Sequence, residues 1–439
     1  MKFEADLGQF RLRYRQSSLV NSPHVVKLSG GRSSAYMLAH LLKTNLLSKE
    51  RGDVVIFNNT AAEHPETYQF VKKLKYLTEK EFGIPFFMIE FATYEDISFG
   101  NRVRFSTFRI VNEMPRNSDN QNGYHYKGEV FEELLSHTAF LPNRHRRVCT
   151  SAMKIKVSEV FLSSWFACED ELAHLGHYGE TSRMTDEGIC TAHAKNGGKT
   201  PGAILLNKRK FVRNRPVSRP NQKFQDFTTV DLSDRQIISM QDATFGGEVD
   251  LRNRDFPVSF VSLVGLRADE PARLKKLNAR ICGSEDGEDS KPSSERVYTP
   301  LADNGYTKKD VSSFWSSQSW DLGLNSDSNL SNCMFCFLKG SKVLQQIASD
   351  LAYTSLSNEF AETPMDVAWW ERLEREYGRD LILEERKKTN QESDVSFIGF
   401  FGENAKFSYN YLKLCANKSL PREALLEDES EILACNCTD

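Results

Sequence analysis

The chain has 439 residues, 39% hydrophobic and 27% charged, with a net charge of −3. That size and composition predict two or three domains, or one with large insertions, and exclude global disorder. The charge balance excludes a polycation, so any nucleic-acid contact must come from a local patch.

No apolar run reaches about 18 residues, so no transmembrane helix and no membrane partner are expected. The opening MKFEADLGQFRLRYRQ is charged throughout and does not read as a secretory signal. Nine cysteines, an odd number, point to a reducing cytoplasm with thiols free, catalytic or metal-bound.

Residues 1–24 read as a lead-in with one strand. VVKLS is then a strand and SSAYMLAHLLKTNLL a helix; DVVIFNNT is a strand, PETYQFVKKLKYLTEKEF a helix and PFFMIEFA a strand. Strands separated by helices imply a parallel sheet with right-handed crossovers. Residues 99–147 are polar and Arg-rich and read as loop, covering the sheet or forming a lid. A helix over 151–166 and the strand candidate LAHLGHY resume the pattern. VSFVSLVGL (258–266) is a buried strand followed by helical DEPARLKKLNARI, and 283–295 is a solvated loop. Thr307 is an N-cap candidate, and the remainder reads mostly helical. The expected fold is α/β: a mainly parallel, doubly wound sheet with a basic insertion and a helical C-terminal part. Its boundaries fall at 1–186 with 256–340 for the core, 187–255 for the insertion and 341–439 for the C-terminal region.

The stretch VVKLSGGRSSAYML carries the first chemistry. Gly30 and Gly31 permit a sharp turn, and Ser33 and Ser34 sit where a helix exposes unpaired N–H groups. A strand, a glycine turn and a helix N-terminus make an anion site, phosphate above all; the plain alternative is a simple joint. It is not a P-loop of the GxxxxGK[ST] kind, because no lysine follows the glycines. In parallel sheets ligands lie beyond the carboxyl ends of strands, where FNNTAAEHPET also falls. That element offers Asn59, Thr60, Glu63, His64 and Thr67. Glu63 and His64 have the chemistry to contact a ribose or hold a metal; a satisfied structural histidine is the alternative. RRVCTSAMKIK adds Arg147, Cys149, Thr150 and Lys154, and VGLRADEPAR adds Gly265, Arg267, Glu270 and Arg273. Arg267 and Arg273 can clamp phosphate or sulfate, or form an ion-pair set around Glu270.

In order, these elements resemble those of the PAPS reductase family, within the PP-loop (HUP-like) adenine-nucleotide enzymes. Its SGGxDS fingerprint matches Ser29–Ser34, with Ser33 in place of the aspartate. Its N-T-x-x-E-x-x-x-T, R-x-C-T-x-x-x-K and G-x-R-x-x-E-x-x-R elements match Asn59 to Thr67, Arg147 to Lys154 and Gly265 to Arg273. The resemblance covers most of residues 20–340 and leaves a long insertion unmatched. It implies ATP, with Mg, held by Ser29, Gly30, Gly31, Ser33, Ser34, Asn59, Thr60, Glu63, Lys154, Gly265 and Glu270. Arg267, Arg273 and Cys149 are then the catalytic candidates.

Cys333 and Cys336 form C-x-x-C, and Cys435 and Cys437 form C-x-C near the end. Two chelating pairs supply four thiolates, enough for zinc or an iron–sulfur cluster; a thiol redox pair is the alternative. Relatives often carry a [4Fe–4S] cluster, which favours that group over zinc and makes Cys149 a rival ligand, with Cys282 weaker. Residues 188–225 hold nine Lys or Arg and no acid, with Phe211, Phe224 and Phe227 in or just beyond them. That composition suits DNA or RNA; a solvated basic loop is the alternative.

The resemblance lies nearer the sulfur-transfer branch that modifies DNA backbones. It implies cleavage of ATP to AMP and pyrophosphate as an acceptor is adenylated, then displacement of AMP by a persulfide or cluster-bound sulfur, with sulfur-donor or complex partner proteins. A sulfonucleotide reductase acting on phosphoadenylylsulfate or adenylylsulfate is the second reading, although the tail CNCTD does not match its Cys-Gly pattern. A non-catalytic nucleotide-binding subunit of a defence or mobile-element assembly is the third.

Overall fold

His24–Leu28 and Val54–Asn59 form strands β1 and β2, nearly wholly buried, as strands covered by helices on both faces must be. The computed structural model describes residues 2–4, 7–96, 103–120, 122–138, 141–143, 146–167, 211–213, 260–281, 295–325, 330–350, 356, 358–380, 397–403 and 407–416. Helix α1 (Arg32–Lys43) joins β1 to β2, and α2 (Pro65–Lys80) joins β2 to β3 (Phe86–Asp96). Pro65 at the first helical position and the His64 cap set where α2 begins. Strand β4 (Val103–Pro115), β5 (Gly123–Tyr124) and α3 (Glu129–Thr138) follow. A short α4 (Val148–Thr150) runs through a π-helical stretch, Ser151–Lys156, into α5 (Val157–Ala167). Then come β6 (Phe211–Arg213), β7 (Phe260–Val264), α6 (Pro271–Ile281), β8 (Glu295–Tyr298), α7 (Pro300–Asp303) and α8 (Lys308–Ser316).

The strand order is β5-β4-β3-β2-β1-β7-β8, with β6 also paired to β3. β3, β2, β1, β7 and β8 run parallel. Asn58 and Phe87 face α5, where Asn58 meets Ser158 and Phe87 packs on Phe161 and Trp165. Asn59 faces α2, where the Tyr68 hydroxyl donates to it. Helices therefore cover both faces of a mainly parallel α/β sheet. No helix among the described residues is long and apolar enough to cross a membrane.

Two expectations need correction. The stretch 99–147 is not only loop: β4 pairs antiparallel with β3 over nine residue pairs and widens the sheet, and α3 packs beside it. In the lead-in, the regular element among the described residues is a 3-10 turn, Ser17–Asn21, rather than a strand. The Thr307 cap is present as a full capping box with Asp310.

The C-terminal region holds α9 (Ser341–Ser349), α10 (Val367–Tyr377), α11 (Tyr409–Ala416) and a small antiparallel sheet of β9 (Arg379–Asp380), β10 (Phe397–Gly399) and β11 (Gly402–Glu403). Its core is aromatic: Trp370 lies 5.3–5.6 Å from the rings of Phe131, Tyr409 and Phe400. Helix α10 docks on the start of α3, where the Trp369 indole donates to Glu132 at 2.9 Å. Gly128 sits beneath that indole at φ +90°, and a Cβ there would lie 2.3 Å from the Trp369 ring. Residues 188–210, 214–225, Phe227, Cys168, Cys190, Cys282, Cys435, Cys437 and LAHLGHY lie outside the described residues.

Candidate functional site

The glycine turn leaves β1 as its sequence requires. Gly30 has φ +81°, and a Cβ there would lie 2.6 Å from Thr67 Cγ2 and 3.1 Å from Phe57. Both conformation and space demand glycine. Helix α1 begins at Arg32 with Gly31 as its cap, no side-chain cap and no acid in its first turn. Its first amides are those a helix cannot bond to itself.

The serines brace this turn. Ser29 and Ser34 share a hydroxyl–hydroxyl bond of 2.8 Å, the Gly31 N–H donates to Ser29 Oγ, and Ser34 Oγ donates to the Gly31 carbonyl. Ser34 is fully buried, so it shapes the turn from within. Arg32 faces away: its guanidinium pairs with Asp321 and the Leu324 carbonyl, and its own carbonyl accepts from the Trp315 indole.

The β7 exit closes the other side. A Cβ on Gly265 would lie 2.7 Å from Ser34 Cα, so backbone packs on backbone here. Arg267 Nη1 donates to Ser33 Oγ at 2.7 Å. Strand order reverses between β1 and β7, and a ligand crevice opens at such a reversal. Arg267 also bonds Asp269 at 3.0 Å and lies 3.6 Å from Glu270, while Arg273 pairs with Glu270. Burial raises the Asp269 carboxyl, but the Lys308 N–H and Arg267 hold it below its ordinary value. The ion-pair set around Glu270 is therefore present, and from it Arg267 reaches the turn.

A third group gathers at the end of β2. Asn59 is committed to the fold: its amide donates to Glu90 and the His125 carbonyl, and its oxygen accepts from Ala61 N–H and Tyr68. Thr60 Oγ1 donates to Glu63 Oε1 at 2.8 Å and lies 3.3 Å from Cys333 Sγ. Glu63 and Cys333 also pair as an isolated backbone bridge. Ala61 and Asn332, flanking this bridge, both have positive φ, at 57° and 59°, a cost tolerated where tertiary contacts fix the chain. Two buried atoms here lack a hydrogen-bond partner, Glu63 Oε2 and Thr67 Oγ1. His64 caps α2 through Nδ1; burial, helped by Lys339, lowers its pKa to about 4, so its ring is neutral.

The two separated cysteine elements approach one ring. The buried Tyr409 phenol lies within electrostatic reach of Cys336, Cys333 and Cys149; burial first, then these thiols and Glu374, raise its pKa. Cys149, Cys333, Cys336 and Cys415 are half-buried, and none of them is in a disulfide among the described residues. Yet no group of three His, Cys, Asp or Glu among the described residues stands close enough to share a metal ion.

Sequence reasoning missed Asn58, whose amide donates to the Met153 and Lys154 carbonyls and Ser158 Oγ. It locks the π-helical stretch that carries Lys154. The signal lay in the double Asn of FNNT, but its partner lies 95 residues on. In comparisons with known proteins, no family model, no curated protein and no solved structure matches the chain.

Proposed function

We propose that the chain is an ATP-binding enzyme of the PAPS reductase-like PP-loop class that releases pyrophosphate and transfers sulfur to an acceptor. The observation that carries this reading is the Arg267–Ser33 contact across the strand reversal, against a glycine turn with free helix amides. In this reading those amides hold the departing pyrophosphate. Arg267 faces the charge that develops as the bond to the α-phosphorus breaks. The neutral Ser33 leaves that arginine without a carboxylate partner on the turn itself. The PP-loop fold, the basic insertion and the helical C-terminal part belong to the same proposal.

Nucleic acid is the proposed acceptor. Three residues of the basic stretch, Phe211–Arg213, pair with Tyr94–Asp96 of β3, past the point where Asn59 pairs with Glu90. That pairing brings the insertion's backbone beyond the carboxyl end of β2. A [4Fe–4S] cluster, or zinc, is proposed on Cys333 and Cys336, completed by Cys149 or by Cys435 and Cys437.

Gly31→Asp tests the phosphate site. Aspartate is a favourable helix cap, so the helix keeps its start while a carboxylate enters the site. We expect ATP affinity to fall by at least about 100-fold, or some 2.7 kcal/mol, with an unchanged circular dichroism spectrum. Unchanged affinity sinks the reading; tight ATP binding in the wild type with no pyrophosphate release moves it to the non-catalytic subunit. Iron, zinc and acid-labile sulfide, measured in anaerobically purified wild type and Cys333→Ala, test the cluster. Iron and sulfide should drop in the variant; zinc lost instead makes the site structural, and no metal in either leaves a thiol redox pair.

A further inference from the structure

The N-terminal segment Arg11-Leu12-Arg13-Tyr14-Arg15 alternates exposed arginines with half-buried Leu12 and Tyr14. Alternation puts Arg13 and Arg15 on one side, with Cα atoms roughly 6.6 Å apart if fully extended. The segment is pinned in place. Asn304 bonds both the N–H and the carbonyl of Arg11, the Arg15 N–H donates to the Tyr298 hydroxyl at 2.9 Å, and Tyr14 meets His24 at 2.6 Å.

A cleft of about 130 Å³ opens beside it, at the end of β8, lined in part by Arg13, Arg15, Asn278, Tyr298, Thr299 and Asp303. Among the described residues neither guanidinium has a hydrogen bond or ion pair; Arg15 lies 5.9 Å over the Tyr298 ring. Asp303 is the acid in the cleft, and it interacts electrostatically with both arginines. Two guanidiniums against one carboxylate leave a net charge near +1. The site is distinct from the glycine turn, because β8 lies two strands from β1, roughly 10 Å at ordinary strand spacing.

We propose that this cleft is a second phosphate-binding site, in which Arg13 and Arg15 grip one phosphate group and Asn278 and Thr299 supply neutral donors. The net charge suits a group bearing about one negative charge, as a phosphodiester does. Its source is either a nucleic-acid backbone or a free phosphate. The volume admits a phosphate group. The proposal does not depend on ATP binding or sulfur transfer.

Arginine labelling with phenylglyoxal, read peptide by peptide by mass spectrometry, tests it in the full-length protein. Arg11 lies on the same segment but outside the cleft and serves as the internal control. A 12-mer of thymidylate and inorganic phosphate are the two probes. At four times its dissociation constant a probe should slow labelling of Arg13 and Arg15 about fivefold and leave Arg11 unchanged. Protection by the oligonucleotide alone assigns a backbone phosphate; protection by inorganic phosphate assigns a free one. No protection by either, or equal protection of Arg11, overturns the proposal. If the oligonucleotide protects, the doubly substituted Arg13→Gln, Arg15→Gln protein should bind it with a log–log salt slope shallower by about 0.7, the value for one phosphate on a single strand. An unchanged slope overturns the assignment to the backbone.

Discussion

Glu90, under the end of the parallel sheet, and Glu374, in the C-terminal aromatic core, are both buried glutamates, yet their carboxyls shift in opposite directions. Burial pushes Glu90 up, but His125 and Arg109 outweigh it and hold its pKa at about 2. Its two oxygens take His125 Nδ1 at 2.6 Å, Arg109 Nε at 3.1 Å, the Asn59 amide and the His125 N–H. Glu374 has backbone partners instead, the N–H groups of Tyr409 at 2.8 Å and Phe400 at 3.2 Å. There burial wins, Glu371 adds to it, and the pKa rises to about 7. Neutral dipoles alone do not offset the desolvation of a charge, whereas a buried cation does. The sheet end is a closed ionic network, and the C-terminal region is an aromatic core that titrates near neutrality.

The largest expected effect breaks the first side of that contrast. Glu90→Ala leaves Arg109 and His125 buried beside a lost carboxylate and should cost about 3–5 kcal/mol, read from the urea midpoint at pH 7. A loss below about 1 kcal/mol, the worth of an exposed pair, would mean the network is not closed. The second effect concerns pH. The folded-state pKa of Glu374 lies above its ordinary value of 4.5, so folded protein keeps a proton that unfolded chain gives up. Its contribution should fall as pH rises from about 4.5 through 7, by roughly 3 kcal/mol at pH 8. Glu90 has the opposite sign: its contribution is present above about pH 4.5 and is lost as pH falls toward 2. Urea midpoints at pH 5 and 8 should show the Glu374 slope in the wild type and not in Glu374→Gln; equal slopes refute the assignment. The smallest effect probes the joint between the regions. Gly128→Ala forces a Cβ against Trp369 at positive φ and should cost about 1–3 kcal/mol. Gly128 also donates to the carbonyl of Ala61, beside Thr60 and Glu63. Labelling of Cys333 by a thiol reagent should therefore speed up in this variant, and an unchanged rate separates the two regions.

Much of the turn was legible because its requirements are local. Gly30 and Gly31 need only their own backbone, and Ser29 to Ser34 lie on adjacent residues of one turn. What Ser34 and Arg32 do was not legible: hydroxyls read as phosphate donors brace the turn, and the arginine beside them bonds Asp321, 289 residues away. Strand β4 was hidden for a related reason. Arg109 makes the segment look solvated, yet it is buried because Glu90 waits on the neighbouring strand. The ion pairs around Glu270 were foreseen as one of two readings, since they join near neighbours in sequence; the reach of Arg267 to Ser33 was not.

The sequence by itself determined the strand–turn–helix at residues 24–43, the cap at Thr307, and the alternation of strand and helix that makes the sheet parallel. Those depend on backbone freedom, capping and hydrophobic period, which act over a few residues. Tertiary structure alone decided that Gly265 abuts Ser34, that Glu63 bridges Cys333, that Cys149, Cys333 and Cys336 all reach the Tyr409 phenol, and that one buried glutamate is charged while another titrates near neutrality. Each of these depends on burial and on a partner distant in the chain, and the energy of a buried polar group is set by what surrounds it in space.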